Sequence, residues 1–184
     1  MRFLVGDTHF DHRNIIDYCD RPYDSVEGMN EALVANWNDA VAPDDDVVFL
    51  GDLTVTDDFA TFADRLDRLN GTIDFVLGDH DETVMPTLDS VRIHEQFRFT
   101  HRDVPFYCVH DPADAPRKWK GWTVHGHHHN NWPDRFPYLD PDRRSVNVSV
   151  EVIGYAPVGV PELLDHIRQF EWLATRPSGD GGSA

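Results

Sequence analysis

The sequence predicts an α/β fold. Three short apolar runs, Phe3-Leu4-Val5, Val47-Val48-Phe49-Leu50 and Ile73-Asp74-Phe75-Val76-Leu77, each stop at a Gly-Asp pair, as buried strands ending in loops do. Two stretches between them carry apolar residues at three- and four-residue spacing, the period of a helix. Strand and helix in alternation indicate βαβ units. From Arg92 onward the pattern changes to strands with no long helix between them, which predicts a second sheet.

The elements follow in order. The first strand ends at Gly6-Asp7. A helix follows Asp24, where Val26, Met29, Leu33, Trp37 and Val41 share one face. Asp24 with Glu27 three residues on makes a capping box, and Pro43 stops the helix. After the second strand, Phe59, Phe62, Leu66 and Leu69 define another helix, capped by Asp57 or Asp58 and closed near Asn70-Gly71. The third strand comes next. Residues 92–100, 105–109, 122–125 and 145–152 read as consecutive strands of the second sheet. A last helix starts at about Pro161, a residue tolerated at the first helical position, and runs through Leu164, Ile167 and Phe170. No internal repeat or long linker divides the chain. Residues 1–176 are expected to form one domain and the Gly/Ser-rich residues 177–184 a disordered tail.

Of the 184 residues, 33 are acidic and 16 basic, a formal net charge of −17. The acids are 26 Asp and 7 Glu, and Lys118 and Lys120 are the only lysines. Such a surface repels polyanions, which counts against a general nucleic-acid or anionic-membrane binder. With 40% hydrophobic residues, five Trp and eleven Phe, the chain can build a core, so the acidity does not signify disorder. Only Asp44-Asp45-Asp46 forms a run; the other aspartates are spread, as on an acidic surface suited to high salt, where the Debye length falls to about 3 Å at 1 M. Asp-rich, Lys-poor usage of this kind resembles that of proteins from extreme halophiles. Cys19 and Cys108 are too few for a disulfide scaffold and read as small buried side chains. No stretch reaches the roughly 18 apolar residues of a membrane helix. Residues 1–6 turn polar at Asp7, sooner than a signal peptide would, so a soluble, cytoplasmic protein is expected.

The chemistry is concentrated in loops. In open α/β sheets, ligands bind beyond the carboxyl ends of the strands, and Asp7, Asp52 and Asp79 all stand there. One such Asp is ordinarily a turn or cap residue. Three at equivalent positions, two with histidine close behind in Asp7-x-His9 and Asp79-His80, are not explained that way. His110 closes the run Phe106-Tyr107-Cys108-Val109, and His127-x-His129 follows Gly126. Carboxylates with neutral imidazoles suit Mn²⁺, Fe, Zn²⁺ or Ni²⁺ and do not make the all-oxygen cage of a Ca²⁺ site. Asp7, His9, Asp52, Asp79, His110, His127 and His129 exceed what one ion takes. Two ions sharing a carboxylate would use them all, as in two-metal hydrolases.

In order, Asp7-x-His9, Gly51-Asp52, Gly78-Asp79-His80-Asp81, His110 and Gly126-His127-x-His129 resemble the motif blocks of the calcineurin-like metallophosphoesterases. The blocks span residues 7–129. The opening Asp7-Thr8-His9-Phe10-x-His12-x-Asn14-Ile15-Ile16 is most similar to small prokaryotic and phage members. The resemblance implies a four-layer α/β/β/α sandwich of two facing mixed sheets flanked by helices. It implies two divalent metal ions, Mn²⁺ ahead of Fe, Zn²⁺ or Ni²⁺. The first would be held by Asp7, His9, Asp52 and His129, the second by the bridging Asp52 with Asp79, His110 and His127. It further implies a phosphoester hydrolase in which a metal-bridging hydroxide attacks phosphorus. His80, not a ligand, would contact the phosphate and assist the leaving oxygen.

The chain departs from the family pattern at Asp79, where the family has Asn. An ionised Asp79 removes one positive charge from the site. The consequences are tighter metal binding, weaker attraction for an anionic phosphate and a water that deprotonates less readily. A monoanionic diester tolerates such a site better than a dianionic monoester. A small phosphodiester, nucleotide-like ones included, is therefore the expected partner.

Other residues carry blander expectations. Asp81 is expected to orient its neighbourhood, His128 to point away from the ions, and His125 to be a core or supporting residue. His94, His101 and His166 read as ordinary, partly exposed histidines. His12, Arg13 and Asn14 either reach a phosphate oxygen or begin the next helix. Arg117, Lys118 and Lys120, the one basic cluster, either meet a substrate phosphate or form a solvated loop. Two other readings stay open: a non-catalytic scaffold of the same fold that binds proteins, and a nuclease, which the acidic surface disfavours.

Overall fold

Alternation of side chains along three parallel strands sets the architecture. The computed structural model describes residues 1–56, 58–81 and 91–175, with residues 171–175 described by their backbone alone. In chain order its elements are β1 (Arg2–Val5), α1 (Arg13–Tyr18), α2 (Val26–Ala40), β2 (Asp46–Phe49), α3 (Phe59–Asp67), β3 (Thr72–Val76) and β4 (Val91–His94). There follow β5 (Phe97–His101), β6 (Val104–Cys108), a 3₁₀ turn (Pro112–Asp114), β7 (Trp122–His125), β8 (Leu139–Asp140), β9 (Ser145–Asn147), β10 (Val158–Gly159) and α4 (Val160–Thr175).

These strands form two five-stranded mixed sheets, ordered β10-β1-β2-β3-β4 and β5-β6-β7-β9-β8. In the first, β1 to β4 are parallel and β10 is antiparallel to β1. In the second, β6, β7 and β9 are parallel, with antiparallel β5 and β8 at the edges. Phe3, Val5, Val47, Phe49, Ile73 and Phe75 pack against Ile15, Ile16, Leu33, Trp37, Phe62 and Leu66 of α1 to α3. Their alternate neighbours Leu4, Val48, Leu50 and Val76 pack instead with Phe106, Cys108, Val124 and Val146 of the second sheet. The first sheet is thus buried on both faces, which is why its strands read as unbroken apolar runs. Leu163, Leu164 and Ile167 of α4 join the core between the sheets. Among the described residues no helix is long and apolar enough to cross a membrane.

Three local expectations need correction. The cap of α2 is Ser25, one residue after Asp24: its hydroxyl accepts the Gly28 N–H at 3.0 Å, and Glu27 falls in the first turn, where the helix dipole favours it. Residues 92–100 are two strands, not one. The exposed polar pair Glu95-Gln96 makes a bend, so that β4 completes the first sheet and β5 opens the second. The strand expected over 145–152 stops at Asn147, after which Ser149 makes a parallel bridge to Gly6 and the chain turns. Asp58 caps α3, accepting from the Thr61 N–H at 2.9 Å. The alternative cap Asp57 and the expected tail at 177–184 lie outside the described residues.

Candidate metal centre

All seven expected ligands lie just past strand ends: Asp7 and His9 after β1, Asp52 after β2, Asp79 after β3, His110 after β6, His127 and His129 after β7. Backbone hydrogen bonds tie these loops together. The Asp7 N–H donates to the Gly51 carbonyl at 2.9 Å, the His9 N–H to Asp52 at 3.0 Å and the Gly126 N–H to His110 at 3.0 Å. The Gly6 N–H donates to Val148 at 2.9 Å, which joins the two sheets at the site. The loops are also strained. Asp7, His9, Asp52, His127 and His129 all have φ between 48° and 66°, a left-handed conformation that costs a non-glycine residue of order 1–3 kcal/mol. Two motif glycines are required by close approach. A Cβ on Gly126 would collide with the Asp7 carboxylate, and one on Gly51 (φ 86°) with the backbone of Gly78.

The side chains converge on two carboxylates. Asp7 is fully buried, and its two oxygens accept the His127 N–H at 3.0 and 3.1 Å. Asp52 Oδ1 accepts the His80 N–H at 3.0 Å, while Oδ2 lies 3.4 Å from His9 Nε2 and 3.5 Å from His110 Nε2. His127 Nδ1 is 3.2 Å from His110 Nε2 and 3.5 Å from Asp79 Oδ2. Among the described residues five overlapping sets each bring their donor atoms within 4.8 Å: Asp7 with His9 and His129, Asp7 with Asp52 and His110, Asp79 with His110 and His127, His9 with Asp52 and His80, and Cys19 with His129 and Glu151. All seven expected ligands are in these sets. Asp7 as well as Asp52 stands between the two groups of histidines, and His80 adds a further donor.

The donor set fits metal ions. His9 Nε2 is buried with no hydrogen-bond partner, an orphaned lone pair or N–H facing Asp52. His110 Nδ1 donates to the Leu50 carbonyl at 2.7 Å and His129 Nδ1 to Glu151 at 3.1 Å, the tautomers that leave Nε2 of both rings free to ligate. Burial opposes the charged form of Asp52, yet the His9 contact and the potential of His110 hold its carboxyl well below the usual carboxylate range. Burial opposes a charged His129 too, but Cys19, Glu151 and Asp7 together raise its pKa. A divalent cation among these groups would take the place of that proton.

Around the ligands lies a supporting layer that the motifs do not announce. Arg21 Nη1 and Nη2 donate to the Thr8 and Asp7 carbonyls at 2.7 and 2.8 Å, and Nη2 lies 2.6 Å from Glu151 Oε1. Burial opposes the Glu151 charge, but the His129 and Arg21 contacts bring its pKa down to about 2. The Asn147 amide donates to the His129 carbonyl at 2.9 Å. Asp81, expected only to orient its surroundings, does so through three bonds: it accepts the Asp52, Gly78 and Leu53 N–H groups at 2.7, 2.9 and 3.2 Å. Burial, with the nearby Asp52 charge, outweighs those bonds and pushes Asp81 up to about 6.

The remaining histidines and bases sort plainly. His128 is in none of the donor sets; its ring stacks on Phe136, centroids 3.5 Å apart at 17°, and meets the expected ligand His127 edge-on at 4.8 Å. His125 is buried, its Nδ1 2.9 Å from the Gly126 carbonyl. Arg13 and Asn14 begin α1, and His12 Nδ1 lies 3.3 Å from His9 Nδ1. Arg117, Lys118 and Lys120 sit exposed on the loop before β7. His94 bonds the buried Asp74, and His166 bonds Tyr138.

No family model matches the chain. It is 43% identical over 176 residues to uncharacterized protein MJ1445 of Methanocaldococcus jannaschii, covering 94% of each chain. The crystal structure of AQ665 from Aquifex aeolicus, a protein of unknown function, superposes with a TM-score of 0.67 at 22% identity, over 90% of this chain and 98% of that one, and shows the same fold. By its identity and its coverage of both chains, this chain belongs to the family of MJ1445.

Proposed function

We propose that this chain is a two-metal-dependent phosphoester hydrolase that prefers phosphodiesters to monoesters. One observation carries the reading: seven Asp and His donors from separate loops converge, with Asp7 and Asp52 between two groups of histidines. Asp7, His9, Asp52 and His129 would hold one ion, and Asp52, Asp79, His110 and His127 the other. Mn²⁺ is the first choice for such a mixed carboxylate and imidazole set. Divalent ions bound there supply Lewis acidity toward phosphoryl oxygens and make water acidic enough to react near neutral pH. The four-layer sandwich of the metallophosphoesterases belongs to the same reading. The core shared between the sheets and the helices over the outer face of the first support three of its layers, while α4 packs into the core between the sheets.

The protein's own groups divide the work. His80 has a side chain 49% exposed, its N–H held by Asp52 and its ring 4.0 Å from that carboxylate. At the mouth of the cluster it can donate a proton to the departing oxygen as the phosphorus–oxygen bond breaks and water's oxygen takes its place. Asp81 fixes the backbone on which both Asp52 and His80 sit. Asp79, 67% exposed, faces the entering substrate, so its negative charge favours a monoanionic diester over a dianionic monoester.

The test is hydrolysis of bis(p-nitrophenyl) phosphate and p-nitrophenyl phosphate with added Mn²⁺, together with metal analysis, for the wild type and His80→Ala. Expected are metal-dependent hydrolysis, faster on the diester, and a loss of about 10²–10⁴-fold in the variant. Two bound ions with no His80-dependent hydrolysis would favour the protein-binding scaffold.

A further inference from the structure

Two adjoining cavities open beside the ligand loops. One, of about 390 Å³, is lined by Asp111, Ala113 and His128. The other, of about 340 Å³, is lined by Thr123, Asp140, Arg143 and Ser145. Pro112, Arg135 and Phe136 line both, so the two are one cleft with Arg135 at its waist. The cleft adjoins the ligand loop behind His127: Asp111 Oδ2 lies 4.0 Å from His127 Nε2, the ring nitrogen opposite the one that meets His110 and Asp79, and Asp111 Oδ1 lies 3.9 Å from His128 Nε2.

Arg135 is one of five described arginines, with Arg98, Arg102, Arg117 and Arg144, that make no ion pair among the described residues, and it is the one that lines this cleft. Acids outnumber bases two to one, 33 to 16, and Arg13, Arg21, Arg65, Arg68, Arg92, Arg143 and Arg168 all have carboxylate partners. Among the described residues Arg135 has no carboxylate within 4.0 Å. Its guanidinium instead lies over the Phe136 ring, Cζ 5.1 Å from the centroid. Phe136 is itself stacked on His128, which stands between the ligands His127 and His129. Arg135 is exposed, and no hydrogen bond or ion pair among the described residues uses its five donors. A fork of donors next to a phosphoester-binding centre matches a second phosphate, which it can meet with two parallel charge-assisted bonds.

We infer that Arg135 binds a second phosphate carried by the substrate, making the preferred substrates phosphodiesters of nucleotide type with an additional phosphoryl group on one arm. The inference rests on the phosphoesterase reading and narrows its substrate class. The Thr123 and Ser145 hydroxyls further along the cleft offer neutral partners for the rest of that arm. Arg135 contacts the bound arm rather than the reacting phosphorus, so its effect appears as discrimination between substrates.

The experiment compares the dinucleotide TpT with its 5′-phosphorylated form pTpT, with Mn²⁺ at one fixed salt concentration. The wild type is expected to favour pTpT by about tenfold in kcat/KM. Arg135→Ala should abolish that preference, and Arg135→Lys should keep only part of it. Arg102→Ala, on the distant β5–β6 turn, should leave the ratio alone. Calorimetric binding of thymidine 3′,5′-bisphosphate against thymidine 5′-monophosphate reads the same preference without turnover. A preference that survives Arg135→Ala, or no preference in the wild type with TpT still hydrolysed, overturns the inference and leaves the phosphoesterase reading intact. Failure of the wild type to hydrolyse either dinucleotide with metal present, with equal binding of the two nucleotides, overturns both.

Discussion

The Glu151 carboxylate lies 3.1 Å from His129 Nδ1 and 2.6 Å from the Arg21 guanidinium, and both Glu151 and Arg21 have side chains no more than 1% exposed. One carboxylate therefore orients a metal ligand while the arginine that neutralises it grips the backbone of Asp7 and Thr8. Outer partners of this kind fix the ring tautomer and raise its basicity, and losing one typically costs 10–100-fold in metal affinity. Glu151→Gln should weaken Mn²⁺ binding by about that factor, read by calorimetry, with the fold intact by circular dichroism. Arg21→Ala should cost about 3–5 kcal/mol of stability, because it leaves a buried carboxylate with its main charge partner gone. A denaturant midpoint unchanged in Arg21→Ala would contradict this.

The charge at Asp79 yields a second prediction. Its carboxylate is 3.5 Å from His127 Nδ1 and largely exposed at the mouth of the cluster. Asp79→Asn restores one unit of positive charge to the site, so Mn²⁺ affinity should fall and turnover of bis(p-nitrophenyl) phosphate should rise, each by several-fold. Monoester hydrolysis should gain more than diester hydrolysis. Turnover that does not rise would show that Asp79 does not set the charge of the site.

A third prediction concerns acid stability away from the site. Asp74, buried on β3, accepts from Arg92 Nε and Nη2 at 2.7 and 3.0 Å and lies 3.0 Å from His94 Nε2. Burial opposes its charge, but the Arg92 and His94 contacts hold its pKa below the ordinary 3.8. A carboxyl whose folded pKa is depressed contributes its full stabilisation above the unfolded value and loses it as pH falls through the folded value. The difference in unfolding free energy between wild type and Asp74→Asn, from urea melts, should be flat from pH 7 to about 4.5 and shrink below about pH 3.8. A difference that widens on acidification would reverse the sign.

Much of this site is legible because its punctuation is local. Gly6-Asp7, Gly51-Asp52 and Gly78-Asp79 mark strand ends, and parallel strands place their ends side by side, so three motifs separated in sequence become neighbours in space. The supporting layer is not legible for the opposite reason. Arg21 and Glu151 are 130 residues apart and meet only because the Gly6–Ser149 bridge joins the sheets. A metal-bound histidine requires an acceptor at its other nitrogen, so some partner for His129 is foreseeable, but nothing in the chain nominates Glu151. The break at Glu95-Gln96 has only a faint mark: Glu95 interrupts the apolar face of Val91, Ile93, Phe97 and Phe99, but no Gly or Pro signals the bend. Left-handed backbone at Asp7, His9 and Asp52 has no sequence mark, because the strain is imposed by the loops tied around them.

Two metal ions sharing the Asp52 carboxylate are the centre of the proposal. Anomalous diffraction from crystals grown with Mn²⁺ addresses it most directly. The expected map has two peaks about 3.5–4 Å apart, one against His9 and His129, the other against His110 and His127, with Asp52 between them. A single peak, or two peaks with Asp52 touching only one, would contradict it.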